Sequence, residues 1–170
     1  MAGLIHLELL TDFFNKIDPK QKFAEPLLDN LVGEPFGRNL HRRMSRDVWN
    51  WAGTYRTSDK NLGVERQLIL PRLYEAMEQT RYWTENKTFS QDEIAVRFHH
   101  ALVSIHPFPN GNGRWSRLMA DILIVKLGGK RFTWGRGTLR AADETRATYI
   151  AALKAADRQD FTTLLAFVRS

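Results

Sequence analysis

The chain has 170 residues and a mass of 19.7 kDa, the size of one domain with a core of its own. Hydrophobic residues at 43% and charged residues at 26% exclude a disordered tail, no apolar run approaches the ~18 residues of a membrane span, and zero cysteines exclude disulfides and thiolate metal sites. The net charge is +6, and residues 111–170, with eleven basic against five acidic side chains, carry all of that surplus, which favours anionic partners such as nucleic acid, nucleotide or an acidic membrane.

The opening stretch, MAGLIHLELLTDFF, has no basic segment ahead of an apolar one and carries Glu8 and Asp12. That argues against a secretory signal and, with the missing cysteines, fits a cytoplasmic protein. Residues 4–15 read as a helix closed by Pro19, and 26–44 as a second helix interrupted near Gly33-Glu34-Pro35. From Arg38 to Trp51 the positions of Leu40, Met44, Val48 and Trp51 continue a helical period, with Gly53 as its end. Thr57-Ser58-Asp59-Lys60-Asn61 and Gly63 are turn formers ahead of Gln67-Leu68-Ile69-Leu70, so 57–70 reads as a short hairpin. Pro71 then opens a helix to about Glu85.

Two strong helices follow. Ser90-Gln91-Asp92-Glu93 forms a capping box, after which Ile94, Phe98, Leu102 and Ile105 recur at spacings of four, four and three. The second begins after Gly113, takes its apolar positions from Trp115, Leu118, Met119, Ile122, Leu123 and Val125, and closes at Gly128-Gly129. A connector over 131–138 and helices near 141–156 and 160–168 complete a mainly α chain.

Between the two strong helices lies HPFPNGNGRWSR, residues 106–117. Gly111, Asn112 and Gly113 tolerate left-handed backbone, and successive amides in such a turn form an anion-binding concavity. A helix starting near Arg114 directs its unpaired amides and the positive end of its dipole there too. Arg114 and Arg117, three apart, share a face of that first turn, where two cations oppose the dipole unless an anion compensates them. His106, at the end of the preceding helix, is the side chain suited to take a proton near neutral pH.

The segment resembles the signature of the Fic family, His-Pro-Phe-x-(Asp/Glu)-Gly-Asn-Gly-Arg-x-x-Arg, at every fixed position except Asn110. Trp51-Ala52-Gly53 and the turn-rich stretch after it resemble the family's approach to a hairpin flap, and 149–167 resemble its C-terminal helices. Within the family the sequence is most similar to the bacterial type called mobile mystery protein B. The resemblance implies a single domain over 1–170: a Fic core at 38–170, a helical bundle with a small β-hairpin flap beside the active-site loop, preceded by an N-terminal helical region, 1–37, outside the match.

The activity implied is transfer of AMP from ATP to a Tyr, Thr or Ser hydroxyl of a target protein, with release of pyrophosphate. Carried over by position, His106 is the general base and Phe108 the loop anchor. Gly111, Asn112 and Gly113 hold the α- and β-phosphates, Arg114 and Arg117 the β- and γ-phosphates. Tyr149 lies near the adenine, and the 57–70 flap docks the target. Asn110 stands where the family places a Mg²⁺-binding carboxylate; its neutral oxygen binds a hard cation less strongly, leaving Mg²⁺ to be held mainly through the phosphates. Another nucleotide-type donor, or a weakened Fic fold acting as a binding module, remains the alternative. No (Ser/Thr)-x-x-x-Glu-(Gly/Asn) inhibitory helix is present, which leaves open a separate antitoxin-like inhibitor or a diverged N-terminus.

Other chemistries fit less well. There is no HExxH, and adjacent His99 and His100 diverge by about 100° on a helix, so both read as ordinary helix residues. Gly128-Gly129-Lys130 runs into Arg131 and is not a Walker loop. Asp121, four residues after Arg117, reads as a salt-bridge partner. Trp115 and Trp134 read as core, which weakens a nucleic-acid-binding interpretation.

Overall fold

The computed structural model describes residues 34–136 and 142–170; the helix expected at 4–15 and the part of the expected 26–44 helix before Glu34 lie outside them. Two compact units are distinguished, with the boundary between Tyr55 and Arg56. In the first, helix α1 spans Glu34–Ser45, with Pro35 in its first turn, where a fixed φ suits the helix and no donor is lost. Leu40, His41 and Ser45 make its buried face. The expected continuation to Trp51 does not form. The chain turns after Ser45, whose carbonyl accepts from the amides of both Val48 and Trp49, and Val48 stands 65% exposed. The turn lets Trp49 and Trp51 stack at 4.7 Å, and each also stacks on His41. Gly53 closes this turn, not a helix: its amide donates to His41 Nδ1 at 3.0 Å, with φ at +82°.

The second unit holds a 3-10 turn, Arg66–Leu68, and five helices: α2 Ile69–Glu85, α3 Gln91–Ile105, α4 Asn112–Lys126, α5 Ala142–Ala156 and α6 Thr162–Arg169. Helices α3 and α4 pack together most extensively; α2 lies on α3, and α6 on both α3 and α5. The expected stripe of Ile94, Phe98, Leu102 and Ile105 is buried, as are Trp115, Leu118 and Ile122 of α4, the helix against which α3 packs most extensively. Burying each large side chain contributes about 1.5–3 kcal/mol, so this seam is the main apolar support beneath the 106–113 loop.

The N-cap of α3 is half of the expected box. Ser90 Oγ accepts from the Glu93 amide at 3.2 Å. The Glu93 carboxylate turns instead to Arg97, which donates to it at 2.8 and 3.0 Å. Arg97 in turn lies between Phe89 and Phe161, a contact that an exposed box would forgo.

The expected hairpin over 57–70 is absent: no strand occurs among the described residues. Ile69 and Leu70 already belong to α2, because Ile69, Leu73, Ala76 and Thr80 are buried at helical spacing and not at period two. Residues 57–65 run as bent backbone fastened by a side chain, Arg56, in place of a ladder.

Candidate active site

α3 ends on a left-handed residue that is not glycine. His106 has φ 54° and ψ 57°, and its amide still donates to Leu102 O at 3.2 Å. Such a conformation is strained for a side chain with a Cβ and persists only where neighbours over-determine it. Here the neighbours are identifiable. Arg56, 4% exposed, donates from Nε to His106 O at 2.8 Å, from Nη1 to Ser58 O at 3.1 Å, and from Nη2 to Val64 O. The Arg56 amide donates to Pro107 O at 2.9 Å and the Val64 amide to Ile105 O at 3.3 Å. Gly63, at φ +98°, comes so close that a Cβ there would lie 2.7 Å from His106 Cβ.

The imidazole is oriented as well. His106 Nδ1 donates to Val103 O at 3.3 Å, which leaves the Nε2 lone pair unprotonated. Partial burial pulls the His106 pKa below the usual 6.5; the Arg56 charge acts in the same direction and the Val103 carbonyl against it. The neutral, proton-accepting form is therefore the one present at neutral pH.

The loop after His106 is fixed by its own side chains. Phe108 is fully buried, edge-on to Trp115 at 5.0 Å. Asn112 clamps Phe108 through both amide atoms: Oδ1 accepts from the Phe108 amide at 2.9 Å and Nδ2 donates to Phe108 O at 2.8 Å. The Asn112 side chain is thus spent on the loop, and only its backbone amide is on offer to a ligand. Gly111 caps α4 at φ 81°, and the first intrahelical bond is Trp115 N–H to Gly111 O at 3.0 Å. The amides of Asn112 and Gly113 precede that bond and open the positive end of α4. A Cβ on Gly113 would meet nothing within 4 Å, so this turn faces open space.

Arg117 folds back so that Nε donates to Gly113 O at 3.1 Å, and its guanidinium lies 5.7 Å over the Tyr149 ring. Burial lowers its pKa; Tyr149 and Asp121 oppose this, while the nearby charges of Arg136 and Arg114 add to it. An anion between these cations would relieve the crowding.

All eight expected site residues line one cavity of about 720 Å³: His106, Asn110, Gly111, Asn112, Gly113, Arg114, Arg117 and Tyr149. Its other wall comes from α5, with Asp143, Arg146, Ile150 and Leu153, and Trp134 and Phe167 also line it. Cationic groups and helix amides thus share the cavity with an apolar section, a division that suits a ligand with an anionic tail and a flat or apolar body. The donor set does not suit a resident divalent cation. Asn110 is neutral, its Oδ1 already accepts from the Gly111 amide at 2.7 Å, and no group of three His, Asp or Glu converges among the described residues.

The family model described as Fic/DOC matches residues 35–124, just over half of the chain, and takes in the whole loop with both arginines. The chain belongs to the Fic/DOC family. A Fido domain-containing protein of Dictyostelium discoideum is 33% identical over 112 residues, covering 62% of this Fic chain and 72% of that protein. Protein adenylyltransferase fic-1 of Caenorhabditis briggsae is 28% identical over 123 residues, 69% of this chain but 22% of the relative. The Fic chain therefore spans only about a fifth of that curated relative's length. The solved structure of Fic-1 (residues 134–508) from C. elegans superposes with a TM-score of 0.70 at 25% identity, covering 97% of this chain and 46% of that one.

Several residues around the site escape sequence reasoning. Arg56 and Gly63, which hold His106, sit in a turn-rich stretch with no periodic signal. Arg146 was legible in principle, being three residues before Tyr149 and so on the same helix face. Asp121 does form a salt bridge, but with Arg131 at 2.9 Å and not with Arg117; it also accepts from Trp134 Nε1 at 2.9 Å. It thereby ties the connector to α4. Trp115 and Trp134 are buried, as expected.

Proposed function

We propose that the protein is an adenylyltransferase that moves AMP from ATP to a hydroxyl side chain of a target protein. The observation that carries this reading is the joint placement of an oriented, neutral His106 and the open first turn of α4 in one cavity with Arg114 and Arg117. His106 Nε2 takes the proton of the target hydroxyl as its oxygen attacks the α-phosphorus. The bond from that phosphorus to the oxygen bridging the β-phosphate breaks, and pyrophosphate leaves with both electrons of that bond. The amides of Asn112 and Gly113 and the charges of Arg114 and Arg117 neutralise the phosphates and hold the leaving group in line. Phe108 keeps the loop in the core, and Tyr149 with its neighbours on α5 receives the adenosine end.

The segment 57–70 is where the target docks, because exposed Leu62 lines the cavity and Gly63 touches His106. Mg²⁺ would come as part of the substrate, held mainly by the triphosphate, with the neutral Asn110 side chain as the loop's weak contribution to holding it.

The test is incorporation of label from α-labelled ATP into protein in a cell lysate, beside labelled GTP and CDP-choline. ATP labels and the other two do not; His106→Ala removes the labelling while the fold remains. Equal labelling by His106→Ala overturns the base assignment, and preferential labelling from CDP-choline or GTP overturns the donor.

A further inference from the structure

His99 is a fully buried histidine that the transfer reaction does not use. It sits on α3, seven residues before His106, with its ring 4.7 Å from that of Trp134. Burial drives its pKa to about 3, with small contributions in the same direction from Arg117 and His100, and only the Ser116 backbone opposes this. The ring is therefore neutral at any working pH. A leucine would fill such a position without a polar cost. On its Nδ1 side the ring meets only the Ser116 backbone, short of a well-formed hydrogen bond, so the position retains a polar ring that is poorly compensated there.

The return is on the other side of the ring. Tyr149 donates its hydroxyl to His99 Nε2 at 2.9 Å. Burial pushes the Tyr149 pKa up to about 12, which keeps that proton in place. The Tyr149 ring, held at one end by this bond and packed against Phe167 at 5.4 Å, presents its face to the Arg117 guanidinium. Arg117 spends Nε on Gly113 O, so its terminal nitrogens are aimed by the ring beneath them.

We propose that His99 is a positioning residue for the donor: through the Tyr149 hydroxyl it fixes the ring on which Arg117 rests, and so sets the affinity for the triphosphate tail. This rests on the reading of the cavity as the ATP site. The bond orders Tyr149 in the absence of ligand, so less side-chain freedom is lost when the anion binds. His99 touches neither phosphate nor target and moves no proton.

Calorimetric titrations with ATP, inorganic tripolyphosphate and adenosine test it, using wild type, Tyr149→Phe, His99→Leu, the double variant and His99→Gln. Each single loss of the bond weakens ATP and tripolyphosphate about three- to tenfold, and His99→Leu, whose side chain lies outside the cavity, leaves adenosine binding near wild type. The double variant is no weaker than either single one, because both remove the same interaction. His99→Gln, whose amide oxygen accepts the same hydroxyl, restores most of the affinity. Should His99→Leu fail to fold, Tyr149→Phe, which keeps ring and packing, decides alone. Tripolyphosphate binding unchanged in Tyr149→Phe overturns the proposal and leaves the ATP site standing. Wild type that binds neither ATP nor tripolyphosphate overturns the ATP site and the proposal with it.

Discussion

His106 works as a base only if its proton-accepting nitrogen is both free and neutral, and two different contacts secure the two conditions. The Val103 carbonyl holds the proton on Nδ1, while partial burial and the Arg56 charge keep the ring from acquiring a second one. The folded pKa lies below 6.5, so the acid limb of the labelling rate at subsaturating ATP is centred on the acid side of pH 6.5. A limb centred at or above 6.5 contradicts this. Replacing Arg56 with Met removes the charge that depresses the pKa and the bonds to His106 O, Ser58 O and Val64 O. The limb then moves to higher pH and the plateau drops at least about tenfold, the cost of leaving buried carbonyls unpaired and the histidine loosely held. Sequence reasoning reached His106, Arg114 and Arg117 because a dense motif carries them. It missed Arg56 because its partners are main-chain carbonyls, that of His106 fifty residues away, and backbone acceptors leave no trace in side-chain spacing.

The two central helices do different work at their facing ends. The end of α3 sets a strained histidine; the start of α4 offers amides and dipole. A methyl group tells fold from function at that start. Gly113 lies in the first turn of α4 with open space where a Cβ would go, and Ala is the better helix former by about 0.5–1 kcal/mol. Gly113→Ala therefore keeps or slightly raises the melting temperature, yet weakens ATP binding tenfold or more by occupying the phosphate space. Loss of stability without loss of affinity contradicts the assigned space. The helices α2 to α6 were legible because their apolar stripes follow the 3.6 period and Ser90 and Gly128 punctuate them. The hairpin was misread for a definite reason: Gln67-Leu68-Ile69-Leu70 is an apolar run whose period shows only once Leu73, Ala76 and Thr80 are counted with it. The helix expected to reach Trp51 failed because aromatic stacking on His41 outweighs the local period at Val48.

At the scale of the molecule, the charge surplus of residues 111–170 is partly a cavity feature. Arg114, Arg117 and Arg146 line the same space, and Arg136 is close enough to perturb Arg117. Charge count alone could not separate this convergence from a broad nucleic-acid-binding face. Stability should also depend on pH in a definite direction. His99 titrates near 3 in the folded chain and near 6.5 unfolded, so the unfolded state binds more protons between those values. The contribution is fully present above pH 6.5 and is lost as pH falls towards 3, at up to about 1.4 kcal/mol per pH unit. His106, also depressed, adds in the same sense over a narrower range. Chemical denaturation at pH 7, 6, 5 and 4 shows falling stability in wild type and a flatter profile in His99→Gln; equal slopes contradict the burial of a neutral ring.

The central claim is that the cavity passes an AMP group and not a phosphate, and ATP labelled at one phosphorus or the other distinguishes the two directly. With α-labelled ATP the target protein becomes radioactive in the presence of wild type and not of His106→Ala; with γ-labelled ATP it stays unlabelled and the label leaves as pyrophosphate. Transfer of the γ-label to protein, or α-labelling that survives the loss of His106, would contradict the account.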